Sequence, residues 1–162
     1  MDSVSEARLS LIWPILADKI RTMAMMLEQE GIVIRVVQGL RSWSEQDSLY
    51  AQGRTKPGQI VTNCKGGDSW HNFGMAVDCV PSQFGPDQPY TPDWNDNHPL
   101  WKRMEAVAAS LGLTVGAEFR TFPDNPHFQL TGQFPVGKPD GEVQQVFKNA
   151  GMEGVWKEVQ IA

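Results

Sequence analysis

The sequence predicts one domain that mixes helices with short strands. Segments with apolar residues at helical spacing alternate with short β-branched runs, there are no internal repeats or low-complexity tracts, and no linker marks off a second domain. The whole of 1–162 is thus expected to be one unit, with its motifs in a core of about 38–129 and a helical tail at about 139–160. A chain of 162 residues can bury about 68–70% of its unfolded surface without disulfides. Its 41% hydrophobic and 20% charged content is ordinary for a globular protein.

Charge excludes some functions. The net charge is -5 and lysines and arginines form no run, so the phosphate-neutralising surface needed to bind nucleic acid is missing. No apolar run approaches the ~20 residues of a membrane span. The start, Met1-Asp2-Ser3-Val4-Ser5-Glu6, lacks the basic end and apolar core of a signal peptide.

Residues 5–30 read as a helix. Ser5 can cap it, Leu9, Ile12, Leu16, Ile20 and Met23 recur at helical spacing, and Pro14 marks a kink or the true start. A β-branched strand follows at 32–39, and the chain leaves it through Leu40-Arg41-Ser42. A second helix should open at Ser44, with Asp47 in the capping-box position, and run to about Gln52. Residues 60–64 and 75–80 read as strands, and 81–98 as a long Pro/Asp/Asn-rich surface loop. A third helix is expected at 100–111, a strand at 113–119, and a last strand at 128–130 behind the rigid turn Phe122-Pro123-Asp124-Asn125-Pro126-His127. The tail at 141–159 is amphipathic and reads as a short helical hairpin broken at Gly151.

The chemistry concentrates in Ser69-Trp70-His71-Asn72-Phe73-Gly74-Met75-Ala76-Val77-Asp78. Seven is an odd offset, so an uninterrupted strand would point His71 and Asp78 to opposite faces. Gly74 allows the turn that brings both to one point. Two imidazoles and a carboxylate suit a catalytic zinc, which keeps a fourth position for water. His127 is the preferred third ligand, because His98 lies in the loop, where exposure or helix capping is the simpler reading. Asp124, three residues before His127, can accept a proton from the reacting water, with Glu118 as a rival base. Arg41, at the exit of a strand, offers a planar fork for a carboxylate or a developing oxyanion. Each of these residues also has a structural reading as a buried histidine or a turn or cap residue. Cys64 and Cys79 are not spaced as C-x-x-C and fit either free thiols or a disulfide.

Ser69-x-His71-x-x-Gly74-x-Ala76-x-Asp78 followed by Asp124-x-Pro126-His127 resembles the signature of the LAS-type zinc peptidases. That family includes D-alanyl-D-alanine carboxypeptidases and the L-alanyl-D-glutamate endopeptidases of endolysins. The segment Gly39-Leu40-Arg41-Ser42, with Glu45-Gln46 and Leu49-Tyr50, is similar to the family's substrate-arginine region. The resemblance implies a small α+β fold with a central antiparallel sheet and flanking helices. It implies zinc on His71, Asp78 and His127, Asp124 as general base, Arg41 on the oxyanion or substrate, and Ser69 on the substrate peptide. The expected partners are peptidoglycan stem peptides and the expected state a monomer. The L-alanyl-D-glutamate bond is the leading target and the D-alanyl-D-alanine bond the alternative. A zinc-containing binding domain without turnover is the reading from another class. Location stays open among cytoplasmic, lysin-like release, and export by a signal outside this sequence. Asp68, the two cysteines and Glu118-Phe119 depart from the family's usual residues and bear on substrate preference.

Overall fold

A computed structural model describes residues 1–160. In chain order the elements are α1 (Ser3–Leu9), α2 (Pro14–Glu28), β1 (Ile34–Gln38), α3 (Trp43–Ala51), a 3-10 turn (Trp70–Phe73), β2 (Ala76–Pro81), α4 (Pro99–Ser110), β3 (Thr114–Val115), a second 3-10 turn (Gly116–Glu118), β4 (His127–Gln129) and α5 (Gly141–Gln160). The strands form one sheet in the order β1-β2-β4-β3, with every neighbouring pair antiparallel. The fold is α+β, as expected. Among the described residues no helix is long and apolar enough to cross a membrane.

The chain forms two compact units, residues 1–39 with 76–130, and residues 40–75 with the chain from 131 onward. In the first, α1 lies on β1, α4 lies on β2 and β3, and α2 packs against α4. Leu9, Ile12, Leu16, Ile20 and Met23 are buried, the face that their spacing predicts, and Leu27 is buried with them. The single helix expected at 5–30 is two, because Pro14 occupies the first turn of α2, where its missing amide costs no hydrogen bond. The cap of α1 is Asp2 rather than Ser5. The Ser5 amide donates to Asp2 Oδ1 at 2.8 Å, while the buried Ser5 hydroxyl accepts the Val36 amide at 3.0 Å.

The strand expected at 113–119 stops at Val115. The Gly116 carbonyl accepts the amides of Phe119 and Asp124, both at 3.0 Å, so the chain curls instead of pairing. The loop at 81–98 is tied down by a bridge between Ser82 and Pro92 and by the Tyr90 hydroxyl, which donates to the Val80 carbonyl at 3.2 Å.

In the second unit the cap of α3 is Ser42, not Ser44. Its hydroxyl accepts the Glu45 amide and the Glu45 carboxylate accepts the Ser42 amide, a reciprocal capping box. Asp47 instead accepts the Gly66 amide at 2.8 Å. Residues 60–64 form no strand, since side chains take their backbone groups. Arg54 donates to the Thr62 carbonyl at 3.0 Å and Gln46 to the Cys64 carbonyl at 2.9 Å. In α5 the backbone breaks at Gly151 (φ 66°, ψ -163°), where the tail's pattern predicts an interruption.

An aromatic cluster holds this unit together. Phe73 meets Phe147 edge-on at 5.4 Å, Trp43 stacks on Phe147 at 5.8 Å, and Trp70 stacks on Phe134 at 6.0 Å. The indoles of Trp70 and Trp156 donate to the carbonyls of Gly137 and Phe73. Cys64 and Cys79 are free thiols.

Burial opposes ionisation of Asp2, but hydrogen bonds from Ser5 and Arg35, with the Arg35 charge, outweigh it and hold its carboxyl below the ordinary 3.8. Its stabilising contribution is present above that value and is lost as pH falls through the lowered one. Asp2→Ala should cost about 1 kcal/mol at neutral pH. In urea melts the deficit should shrink as the solution is acidified below the ordinary carboxylate range; a deficit that grows on acidification refutes this.

Candidate metal centre

Strand pairing builds half of the site. In the β2–β4 register Asp78 lies opposite His127, Val77 opposite Phe128 and Ala76 opposite Gln129. Cross-strand partners project to the same face, and His127 Nδ1 stands 3.4 Å from Asp78 Oδ1. On the other side of β2, Val36 pairs with Cys79 and Gln38 with Asp78, leaving Val37 as the extra residue of a bulge. Alternation along β2 sends Cys79 away from Asp78 and into full burial, as expected from its position.

His71 comes from the 3-10 turn Trp70–Phe73, which Gly74 ends in the left-handed conformation (φ 64°). The turn is organised by Asn72, a buried residue that the sequence reading assigned no role. Its Oδ1 accepts the amides of Gly67 at 3.0 Å and Ser69 at 3.4 Å, and its Nδ2 donates to the Arg41 carbonyl at 2.9 Å and the Ser42 carbonyl at 3.4 Å. The Arg41 amide in turn donates to the His71 carbonyl at 3.0 Å. One amide side chain thus fixes the segments that carry Ser69, His71 and Arg41. The available signal was a polar residue between two large apolar-cluster members, Trp70 and Phe73.

His71, Asp78 and His127 each offer a ligand atom, all within 4.8 Å of one another, and form a group able to hold a metal ion. The donor set fits zinc, which takes imidazole nitrogen and carboxylate oxygen at about 2.0–2.2 Å; two such ligands on a tetrahedral ion stand about 3.4 Å apart. The separation between Asp78 and His127 matches that edge. Burial works against a charged His127, but the hydrogen bond and charge of Asp78, the hydrogen bond of Gln129 and the charge of Asp124 lift its pKa above the ordinary histidine value.

Asp124 therefore lies within electrostatic reach of His127. The turn between them is closed by the His127 amide, which donates to the Asp124 carbonyl at 3.1 Å. Gly116 has a packing reason to be glycine. A Cβ there would stand 2.4 Å from the Asp124 carbonyl oxygen and 2.7 Å from His127 Cβ. Glu118, the rival base, is exposed on the 3-10 turn, and its charge acts on Glu105. His98 caps α4, its Nδ1 accepting the Leu100 amide at 3.3 Å, in line with the capping reading.

The Arg41 guanidinium donates to Gln46 Oε1 at 2.9 Å. Gln46 is fully buried and also donates to the Cys64 carbonyl and, at 3.3 Å, to the Thr62 hydroxyl. Its amide fixes one end of the arginine's fork.

A family model described as VanY, D-alanyl-D-alanine carboxypeptidase, matches residues 10–126. The chain belongs to the VanY family. The matched span holds Arg41, Ser69, His71, Asp78 and Asp124 and ends one residue before His127, which strand pairing places opposite Asp78. The chain is similar to the peptidoglycan L-alanyl-D-glutamate endopeptidase CwlK of Bacillus subtilis (strain 168), at 36% identity over 122 residues, 72% of each chain. Its fold is similar to the crystal structure of the L-Ala D-Glu endopeptidase ChiX of Serratia marcescens, with a TM-score of 0.51 and 24% identity over 81% of this VanY-family chain and 89% of the other.

Asn72→Ala should cost about 2–4 kcal/mol, because it leaves several partly buried backbone groups unpaired. It should lower metal affinity and activity together; a variant with wild-type melting and affinity refutes the organising role. Protons would compete with a metal held by His127, so affinity should fall on acidification. Chelator competition should give much weaker binding at about pH 6 than at about pH 8, and equal affinity at both would remove His127 from the ligand set.

Proposed function

We propose that this chain is a zinc peptidase that hydrolyses peptidoglycan stem peptides at the L-alanyl-D-glutamate bond. The observation that carries the reading is the convergence of the His71, Asp78 and His127 ligand atoms within 4.8 Å. It occurs in a VanY-family chain that shares 36% identity with an enzyme named for that cleavage.

His71, Asp78 and His127 would hold the zinc. Bound zinc supplies Lewis acidity and lowers the pKa of water toward ~7. The Asp124 carboxylate takes the proton of the attacking water on one oxygen and returns it to the departing amine nitrogen. Arg41 donates to the carbonyl oxygen as negative charge develops on it, or holds a substrate carboxylate, with its guanidinium set by Gln46. Ser69, nearly buried beside the ligand turn, meets the substrate peptide. The second reading, a D-alanyl-D-alanine carboxypeptidase, is favoured by the family's own description.

Digestion of purified muropeptides before and after chelation tests the proposal. New D-glutamyl N-termini, lost with chelator and restored by zinc, are the expected result. Release of terminal D-alanine alone selects the carboxypeptidase. Bound zinc without hydrolysis of any stem peptide selects a binding domain, and absence of metal affinity overturns the ligand assignment. Asp124→Asn should keep zinc and lose about 10²–10⁴-fold in turnover, whereas His71→Ala or His127→Ala should lose the metal. Full turnover in Asp124→Asn would move the base role to another carboxylate such as Glu118.

A further inference from the structure

Gln129 is a buried amide that the mechanism above does not use. It is 1% exposed and lies two residues after His127 on β4, so the two side chains rise from the same face of the sheet. Phe128 between them turns to the other face and is fully buried. On the flanking strands Ala76 and Thr114 stand opposite Gln129, both shorter than the glutamine. His127 Nε2 and Gln129 Oε1 are 2.9 Å apart. The other ring nitrogen, Nδ1, faces Asp78 Oδ1 at 3.4 Å.

We propose that Gln129 is the positioning residue of the metal ligand His127. Its amide oxygen accepts the Nε2 proton, which holds the neutral ring in the tautomer that offers Nδ1, the nitrogen facing Asp78, to the zinc. The inference rests on the metal-centre reading. A neutral imidazole carries one proton, and a proton on Nδ1 would block the nitrogen that faces Asp78. An oxygen acceptor at Nε2 favours the opposite tautomer, and burial makes an unmet donor or acceptor there costly. A partner that fixes both tautomer and ring plane is the usual support of a metal-bound histidine. Here that partner is a neutral amide, so the ligand set keeps a single negative charge, that of Asp78.

The test measures zinc affinity of the full chain by chelator competition, with melting of the metal-free proteins beside it. Gln129→Met keeps the length of the side chain and removes the acceptor, and should weaken zinc binding by about 10–100-fold. Gln129→Glu restores an acceptor and should bring affinity back to within a few-fold of wild type. Equal affinity in wild type and Gln129→Met overturns the proposal, as does equal weakening in both variants. The wild type gives an independent readout through nitrogen-15 NMR of its histidines with zinc bound. A proton on Nε2 of His127, slow to exchange with water, is expected; a proton on Nδ1 overturns the assignment without recourse to any variant. A wild type that takes no zinc overturns the metal-centre reading itself, and Gln129's role with it. Zinc binding by wild type with no loss in Gln129→Met overturns the role of Gln129 alone.

Discussion

The antiparallel register between β2 and β4 is the constraint on which the candidate centre depends. It sets Asp78 against His127 and Ala76 against Gln129 in successive same-face rows. Because side chains alternate with a period of two, a slip by one residue would send His127 and Gln129 to the face now occupied by Phe128. The apolar residues oppose such a slip. Val77 and Phe128, paired between those two rows, are both fully buried. Hydrophobic burial on one face of the sheet thereby fixes polar chemistry on the other.

The turn that carries His71 is held by different physics. The segments bearing Ser69, His71 and Arg41 have little regular structure, so their backbone groups need partners from elsewhere. The Asn72 side chain supplies them, while Trp70 and Phe73 anchor the same turn in an aromatic cluster with Phe134 and Phe147. Gln46 and Gln129 act alike on Arg41 and His127. In each case a buried, uncharged amide lies within hydrogen-bond distance of a candidate site side chain.

Where local pattern and structure part, competition for backbone hydrogen bonds explains the difference. Ser5 and Ser44 looked like caps because serine often is one, but Asp2 and Ser42 had the geometry. Residues 60–64 have strand-like composition, yet Arg54 and Gln46 take their carbonyls. Gly116 ends the strand at 113–119 early and frees the close approach required by the Asp124–His127 turn.

By itself the sequence determined the α+β character, the buried helix faces, the break at Gly151 and the identity of the ligand candidates. These follow from periodicity, from glycine's backbone freedom, from the small set of side chains able to bind zinc and, for the α+β class, from the family resemblance. It also named Asp124 and Arg41 as candidates, on their chemistry and on the family resemblance, each with a structural reading as a turn, cap or solvated residue beside it. Only the tertiary structure decided which nitrogen of His127 faces Asp78, that both cysteines are free, and which groups Asn72, Gln46, Gly116 and Gln129 contact. Those residues act through contacts with positions such as Arg41, Cys64 and Asp124, some of them far away in the chain. A buried amide in sequence looks the same whether it fills space or orients a ligand.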